Sequence, residues 1–407
     1  MPLPQALRGW SKQQKNVVLA SFLGWTLDAF DFFLLIFVLK DIATDFGVTM
    51  VRMSAALLLT LAMRPVGAYL FGRAADHVGR RPTMMANILV YSLLELLSGF
   101  APNLSMLLVL RACFGIAMGG EWGVGSSLTM ESVPTHARGF VSGILQAGYP
   151  CGYLLAAIVY GVLFPYIGWR GMFMVGVLPA LLVLYVRRHV PESPAWSQRP
   201  AGDISTLAVL RRHWKLALYA VLLMTAFNFF SHGTQDVYPT FLREQHHLSP
   251  QVVSTIAVIY NIGAMLGGIV FGSLSERIGR RRAIVLAALL ALPVLPLWVL
   301  AGTPFWLAVG AFLLQFMVQG AWGVIPAHLN ELSPPEARAT FPGFVYQLGS
   351  LLSSVNATIQ LYLATRVLDG NYGLAQGIVV GVVAVLIALL TWSGAEARGV
   401  NMGTREG

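Results

Sequence analysis

Gly72 to Arg81 reads G-R-A-A-D-H-V-G-R-R, and 200 residues later Gly272 to Arg281 reads G-S-L-S-E-R-I-G-R-R. The offset persists beyond the motif. Gly120, Trp122, Gly123, Glu131, Ala137 and Arg138 return as Gly320, Trp322, Gly323, Glu331, Ala337 and Arg338. A constant offset of this length marks a duplicated unit. Each copy of the motif lies between apolar runs long enough to cross a bilayer. Working outward gives twelve expected spans: 16–38, 53–74, 84–102, 104–126, 139–163, 169–187, 216–240, 252–273, 283–301, 304–327, 340–364 and 373–393. The chain then divides into a six-span half over 1–188, a linker over 189–215 that carries Pro191, Pro194 and Pro200, and a second half over 216–407. The fold class is an all-α membrane protein with twelve transmembrane helices in two pseudo-symmetric halves.

Composition agrees. Of 407 residues 56% are hydrophobic and 11% charged, with mean hydropathy +0.68, which excludes an ordinary soluble domain. The net charge of +9 is distributed as topology, not as a nucleic-acid patch. Twenty of the 27 Lys and Arg fall on one side of the spans and five on the other, leaving Arg64 and Arg111 within them. This bias puts both termini in the cytoplasm of an inner (plasma) membrane protein. Met1 to Lys15 shows no cleavable apolar core, so the first span is expected to serve as the insertion signal. Cys113 and Cys151 both fall in spans, and neither a disulfide framework, a metal site nor a cofactor is implied.

The richest chemistry lies in the seventh span, Asn228 to Thr240, N-F-F-S-H-G-T-Q-D-V-Y-P-T. On a helix Asn228, His232 and Asp236 stand at i, i+4 and i+8, beside Ser231 and Gln235. Such a face cannot meet lipid; it lines a polar cavity or pairs with other helices. The stretch resembles the signature of the sialate/lactate proton symporters of the major facilitator superfamily. Asn228, Ser231, His232, Thr234, Gln235, Asp236 and Thr240 match its seven specified positions. The repeated G-x-x-x-[DE]-x-x-G-R-R element is similar to the superfamily's loop motif between spans 2 and 3. The resemblance implies a gate latch made of Gly72, Asp76, Arg80, Arg81, Gly272, Glu276, Arg280 and Arg281, favouring an outward-open state. Glu131 with Arg138 and Glu331 with Arg338 are expected to reinforce it. The alternative for these charges is a solvated topology role.

Asp28 and Asp31 lie one helical turn apart in the first span and need a partner. Arg111, about seven residues from the outer end of span 4, sits at the depth of Asp31, at about 1.5 Å per residue. The sequence around it, R-A-C-F-G-I-A-M-G-G-E-W-G, is similar to a stretch of proton-coupled sugar and phosphate porters. That similarity implies a proton-linked Asp31–Arg111 pair, with Glu121 as a further acid. Arg111 otherwise suits a substrate carboxylate. Arg64, beside Pro65, has no partner legible in the sequence. In the second half Gln315 and Gln319 share a face and, with Tyr346, are expected to line the pore. Spans 3, 6, 9 and 12 are expected to form the lipid-facing scaffold.

These expectations converge on a proton-coupled symporter of a small monocarboxylate such as lactate or pyruvate. Arg111, Asn228, His232, Gln235, Tyr346, Gln315 and Gln319 would bind substrate; Asp28, Asp31, Asp236, His232 and Glu121 would couple protons. Its partners would be the anion, the proton and the bilayer, with a monomer sufficient. Sialate is the other branch implied, set second because its members often carry two additional spans. A non-transporting carboxylate sensor would keep the same residues but usually needs a larger output region than the stretch after Trp392. Against a membrane-bound enzyme, no nucleophile-base-orienter set, cofactor loop or metal-ligand cluster is legible outside the His232 face.

Overall fold

Ser11 starts the first helix by a reciprocal cap. Its hydroxyl accepts from the Gln14 amide at 3.1 Å, and its own amide donates to Gln14 Oε1 at 2.9 Å. The structure is a computed structural model that describes residues 9–198 and 206–402; Arg8, Arg199 and Arg405, counted above on the cytoplasmic side, lie outside the described residues. Among the described residues all regular elements are helical. The spans are α1 (Lys12–Asp45), α2 (Ala55–Val78), α3 (Arg80–Gly99), α4 (Leu104–Ser132), α5 (138–167), α6 (169–189), α7 (Trp214–Gln235), α8 (Pro250–Ile278), α9 (Arg280–Leu300), α10 (Pro304–Leu332), α11 (340–367) and α12 (Tyr372–Ser393). Nine helices among the described residues are long and apolar enough to cross a bilayer. One of them, Thr135–His189, holds both α5 and α6, turned at Gly168 where φ is 61°. Two more segments complete the twelve. One is α3, made less apolar by Arg80, Arg81, Asn87 and Glu95; the other is α11, interrupted by a 3-10 turn at Ser353–Val355 and a π turn at Leu363–Val367.

The duplication is visible in the backbone. Gly79 and Gly279 separate α2 from α3 and α8 from α9 with φ of 124° and 98°, a region that side-chain-bearing residues rarely adopt. Asn103, Ser249, Thr303 and Asn371 each accept from a backbone amide in the first turn of α4, α8, α10 and α12. Within each half one pair of helices packs backbone to backbone. A Cβ on Gly115 or Gly119 of α4 would collide with the carbonyls of Thr60 or Arg64 in α2, and Gly263 and Gly267 of α8 meet α10 in the same way. Small residues four apart let membrane helices approach this closely.

The halves meet through α5 against α8 and α2 against α11. A Cβ on Gly143 would strike the Gly268 carbonyl, and one on Gly72 would stand 2.5 Å from Thr340 Cα. The contact is therefore tight at the end that carries the repeated motif. The segment after α12 crosses this end. Arg138 Nη1 donates to the Val400 carbonyl at 2.6 Å and Arg338 Nη1 to that of Met402 at 3.3 Å, while Met402 is buried beside Val18, Val133 and Phe140.

The scaffold expectation holds for only one face of α3. Leu89, Val90, Leu93 and Leu97 are exposed, as lipid contact requires, but Asn87, Tyr91, Ser92, Glu95 and Ser98 are buried on the other face.

Candidate functional site

His232 and Asp236 stand at the end of α7, with His232 Nδ1 and Asp236 Oδ1 3.2 Å apart. Their side chains remain 44% and 39% accessible, although groups from three other helices lie near them. Arg64 of α2 reaches His232 electrostatically, and Tyr149 of α5 and Tyr260 of α8 reach Asp236. Arg64 also reaches Tyr346 of α11 electrostatically. The accessible sides of His232 and Asp236 thus open a cleft between the halves, with a cation and three tyrosines nearby. Arg64 is only 4% accessible, and its Nε and Nη2 make no hydrogen bond to the protein. A buried guanidinium with free donors is a fork for an oxyanion.

Aromatic rings floor the cleft. Tyr346 packs on Trp122 and Trp322, with ring centroids 4.8 and 5.5 Å away, and the two tryptophans are the repeat mates noted above. Trp122 Nε1 donates to Gln146 at 3.3 Å and Trp322 Nε1 to the Phe227 carbonyl at 3.2 Å. Along one wall Trp25, Tyr149, Phe33, Tyr153, Phe37 and Tyr160 form a continuous chain of ring contacts between α1 and α5.

Several expected ligands stand elsewhere in this conformation. Arg111 is fully buried, donating to Glu95 Oε2 at 2.8 Å and Ser98 at 2.6 Å with its guanidinium over Phe114. Its direct partner is therefore Glu95, not Asp31, and it does not face the cleft. Asp28 and Asp31 are also fully buried, with no hydrogen-bond donor on any carboxylate oxygen. Glu121 receives a long contact, 3.4 Å, from Asn87. Gln315 joins α10 to α7, donating to Thr234 at 2.8 Å and accepting from Gln235 at 3.1 Å. It is interhelical glue here, not pore lining. Gln319, half-buried, donates to Ser231 at 2.9 Å. Asn228 is buried and bonds back to the Met224 carbonyl at 2.7 Å.

Below the floor, the repeated motif binds the halves together. Asp76 at the end of α2 accepts from the Ala339 and Thr340 amides, both at 3.0 Å, and from the Thr340 hydroxyl at 2.6 Å. It thereby caps α11, a helix of the other half. Its repeat mate Glu276 accepts from the Gly139 amide at the start of α5 at 2.5 Å. Arg80 links Asp76 (3.1 Å) to Glu131 (3.0 Å), and Arg280 links Glu276 (2.8 Å) to Glu331 (2.9 Å). The expected Glu131–Arg138 and Glu331–Arg338 pairs are replaced. Glu131 binds Arg80, and Arg138 reaches across to Glu331 at 3.8 Å. The second motif arginines instead hold helix ends: Arg81 donates to the Arg187 carbonyl and Arg281 to those of Thr391 and Trp392.

A family model described as Major Facilitator Superfamily matches residues 21–236 and again 221–406, one copy per half. The chain belongs to the Major Facilitator Superfamily. It is a multi-pass membrane transporter and not an enzyme. It is 29% identical over 398 residues to the sialic acid transporter NanX of Escherichia coli K12, a match covering 96% of this chain and 97% of NanX. It is 30% identical over 394 residues to a carboxylic acid transporter protein homolog of Saccharomyces cerevisiae, covering 90% of this chain and 64% of the yeast protein. Among solved structures, the superfamily's proton:xylose symporter XylE superposes with a TM-score of 0.78 at 17% identity, covering 95% of this chain and 97% of XylE. The likeness to XylE concerns the fold.

In this superfamily member the sequence reading missed several site residues. Asn87, Tyr91 and Glu95 of α3 recur at i, i+4 and i+8, the same spacing noticed on α7, and that spacing was the available signal. Glu192, read as linker, accepts from the Arg80 amide at 3.0 Å and the Arg81 amide at 3.2 Å, and so caps α3. Gln360 donates to the Gly233 carbonyl at 2.9 Å, and Gln376 is fully buried nearby; neither residue belonged to a pattern.

The capping geometry of Asp76 sets an expected result. Asp76→Asn removes a charged cap worth about 1–2 kcal/mol, so the closed motif end should open more often by roughly 5- to 30-fold. Maleimide labelling of Ser126→Cys, in a chain whose Cys113 and Cys151 are alanine, would report this because Ser126 is buried behind that end. An unchanged labelling rate would remove the latch role from Asp76.

Proposed function

We propose that the chain is a proton-coupled symporter of a small monocarboxylate, with lactate or pyruvate as the leading substrates. It works by alternating access and is shown here closed at the motif end. The observation that carries this reading is Arg64: buried, with two donors that bond to nothing in the protein, and close to His232 and to tyrosines from both halves. The substrate carboxylate would bind its fork, helped by the Tyr346 and Tyr149 hydroxyls. His232 with Asp236 is the titratable pair that meets the cleft directly, and imidazole changes charge near neutrality. Tight contact at Gly143 and Gly72 closes one end, and its release with opening of the Asp76 and Glu276 caps would expose the site to the other side. The excess of basic residues at the motif end supports a cytoplasmic position for that end and for both termini in the plasma membrane. The monomer contains all of these parts.

Sialic acid is the second reading. The match to NanX, end to end at the same length, removes the two-additional-spans argument that placed it behind. Both substrates carry one carboxylate, so their coupling prediction is shared. A monocarboxylate moving with one proton carries no net charge. Uptake into proteoliposomes should therefore follow an imposed pH gradient and ignore an imposed potential. An unbalanced charge would add roughly 2.3 kcal/mol per 100 mV. Uptake strongly accelerated by potential at equal pH would exclude one-to-one symport. Parallel assays with labelled lactate, pyruvate and sialic acid separate the two substrate readings.

A further inference from the structure

Four arginines surround a cavity at the motif end of the second half. It measures about 500 Å³ and lies where α8 turns into α9, walled by Arg277, Arg281, Arg282, Arg398, Trp392 and Glu396. The first half builds the same corner with different chemistry. There Glu192 accepts from the Arg81 amide, and Trp196 on the short helix Pro194–Ser197 donates its indole hydrogen to the Asp76 carbonyl at 3.2 Å. In the second half Glu396 accepts from the Arg281 amide at 3.0 Å, and Arg398 Nη1 donates to the Glu276 carbonyl at 3.0 Å. A guanidinium thus stands where the repeat mate carries an indole, and the cavity lies beside it.

The wall carries four positive charges and one negative charge, and the negative one is committed. Glu396 Oε2 and Oε1 accept from the Arg281 and Arg398 amides at 3.0 and 3.1 Å. Arg281 is held as well, by the Thr391 and Trp392 carbonyls. Arg277 and Arg282 are exposed, and among the described residues their guanidiniums meet neither an acceptor nor a carboxylate. Two uncommitted guanidiniums beside two fixed ones make a receptor for a phosphate-type oxyanion. What adjoins the cavity points to the source of that phosphate. Trp392 stands exposed in the last turn of α12, as indoles do at the level of lipid headgroups. Deeper in the same two helices, Leu386 and Leu389 of α12 and Leu286, Leu289 and Leu290 of α9 are exposed as an apolar surface. We propose that this cavity binds the headgroup of an anionic glycerophospholipid, with Arg277 and Arg282 taking the phosphate oxygens and the acyl chains lying along α9 and α12. A free phosphate would satisfy the arginines but leave Trp392 and the leucines without a role. A zwitterionic headgroup would neutralise none of the excess positive charge.

Equilibrium binding of radiolabelled phosphatidylglycerol to the purified full chain in neutral-detergent micelles tests this, with phosphatidylcholine and inorganic phosphate as competitors. The unaltered chain is expected to bind the lipid saturably. Arg277→Gln combined with Arg282→Gln should bind about 25-fold more weakly, at about fivefold per arginine. Arg187→Gln combined with Arg188→Gln removes the same charge from the exposed motif end of α6 and should leave the affinity unchanged. Thermal unfolding checks that both variants are folded, and Arg277→Gln alone, expected to lose about fivefold, decides if the double variant is not. Equal weakening by the two pairs would reduce the binding to general surface charge. Displacement of the label by inorganic phosphate as readily as by unlabelled phosphatidylglycerol would make the cavity a soluble-anion site, and equal displacement by phosphatidylcholine would remove the preference for an anionic headgroup. Any of these results overturns the proposal. The cavity shares no residue with the substrate cleft, so failure of the carboxylate reading would leave the lipid site standing.

Discussion

Arg64→Gln is expected to lower the affinity for a small carboxylate by about 100-fold or more, with little change in the stability of the folded chain. Truncating one partner of a buried charged hydrogen bond costs about 2–5 kcal/mol, and each 1.4 kcal/mol is about tenfold in affinity. Stability is spared because Nε and Nη2 of Arg64 bond to nothing in the protein. Arg64→Lys should recover little, since an ammonium cannot offer a planar two-pronged contact at this depth. Binding of labelled lactate and sialic acid to the purified chain, beside thermal unfolding, tests the pair. Wild-type affinity in Arg64→Gln would move the anchor to His232. A collapse in thermal stability would instead make Arg64 a structural partner of Asp28.

The fold was legible because duplication is a property of the sequence that survives any error in a span boundary. Gly79 and Gly279 needed to be glycine for the same backbone reason, and Trp122 and Trp322 returned as two sides of one aromatic floor. The latch was legible in composition but not in its pairing. Glu131 and Arg138 lie close in sequence, which suggested a local pair, yet in the folded chain Arg80 arrives from another helix and takes Glu131. Sequence proximity says little about partners when every charge sits at the end of a different helix.

The site was only half legible for a related reason. A stripe at i, i+4 and i+8 drifts by about 80° around an α-helix of 3.6 residues per turn. Asn228 therefore turns into the helix packing, where it bonds to Met224, while His232 and Asp236 stay at the cleft. Depth along a helix sets a level for Arg111 but says nothing of its azimuth. Glu95 lies on the neighbouring α3 and claims the guanidinium that Asp31 was expected to hold. A span with one acid among many apolar residues reads as scaffold, and α3 does present an apolar face outward. Its buried polar face emerged only once the helices were packed. Arg64 had the opposite history: it lacked a partner in the sequence, and in the structure it still makes little use of the protein, which is what an anion site requires.

His232 and Asp236 should then separate proton coupling from substrate binding. Both are accessible from the cleft and lie within 3.2 Å of each other, so a proton can enter and leave them while the cleft is open. A one-unit pH gradient is worth about 1.36 kcal/mol, which one-to-one symport converts into about tenfold accumulation of substrate. The unaltered chain should approach that value in proteoliposomes. His232→Ala and Asp236→Asn should fall toward equal concentrations inside and outside, while exchange of labelled for unlabelled substrate continues, because exchange does not require the proton to leave. Asn228→Ala is the control on the same helix: buried and bonded to its own turn, it should keep the pH dependence of whatever transport remains. The decisive measurement is counterflow beside pH-driven uptake for the three variants at matched protein levels. If His232→Ala and Asp236→Asn lose exchange and accumulation equally, the pair binds substrate or shapes the helix end, and the proton must be carried by the buried acids of the N-terminal half instead.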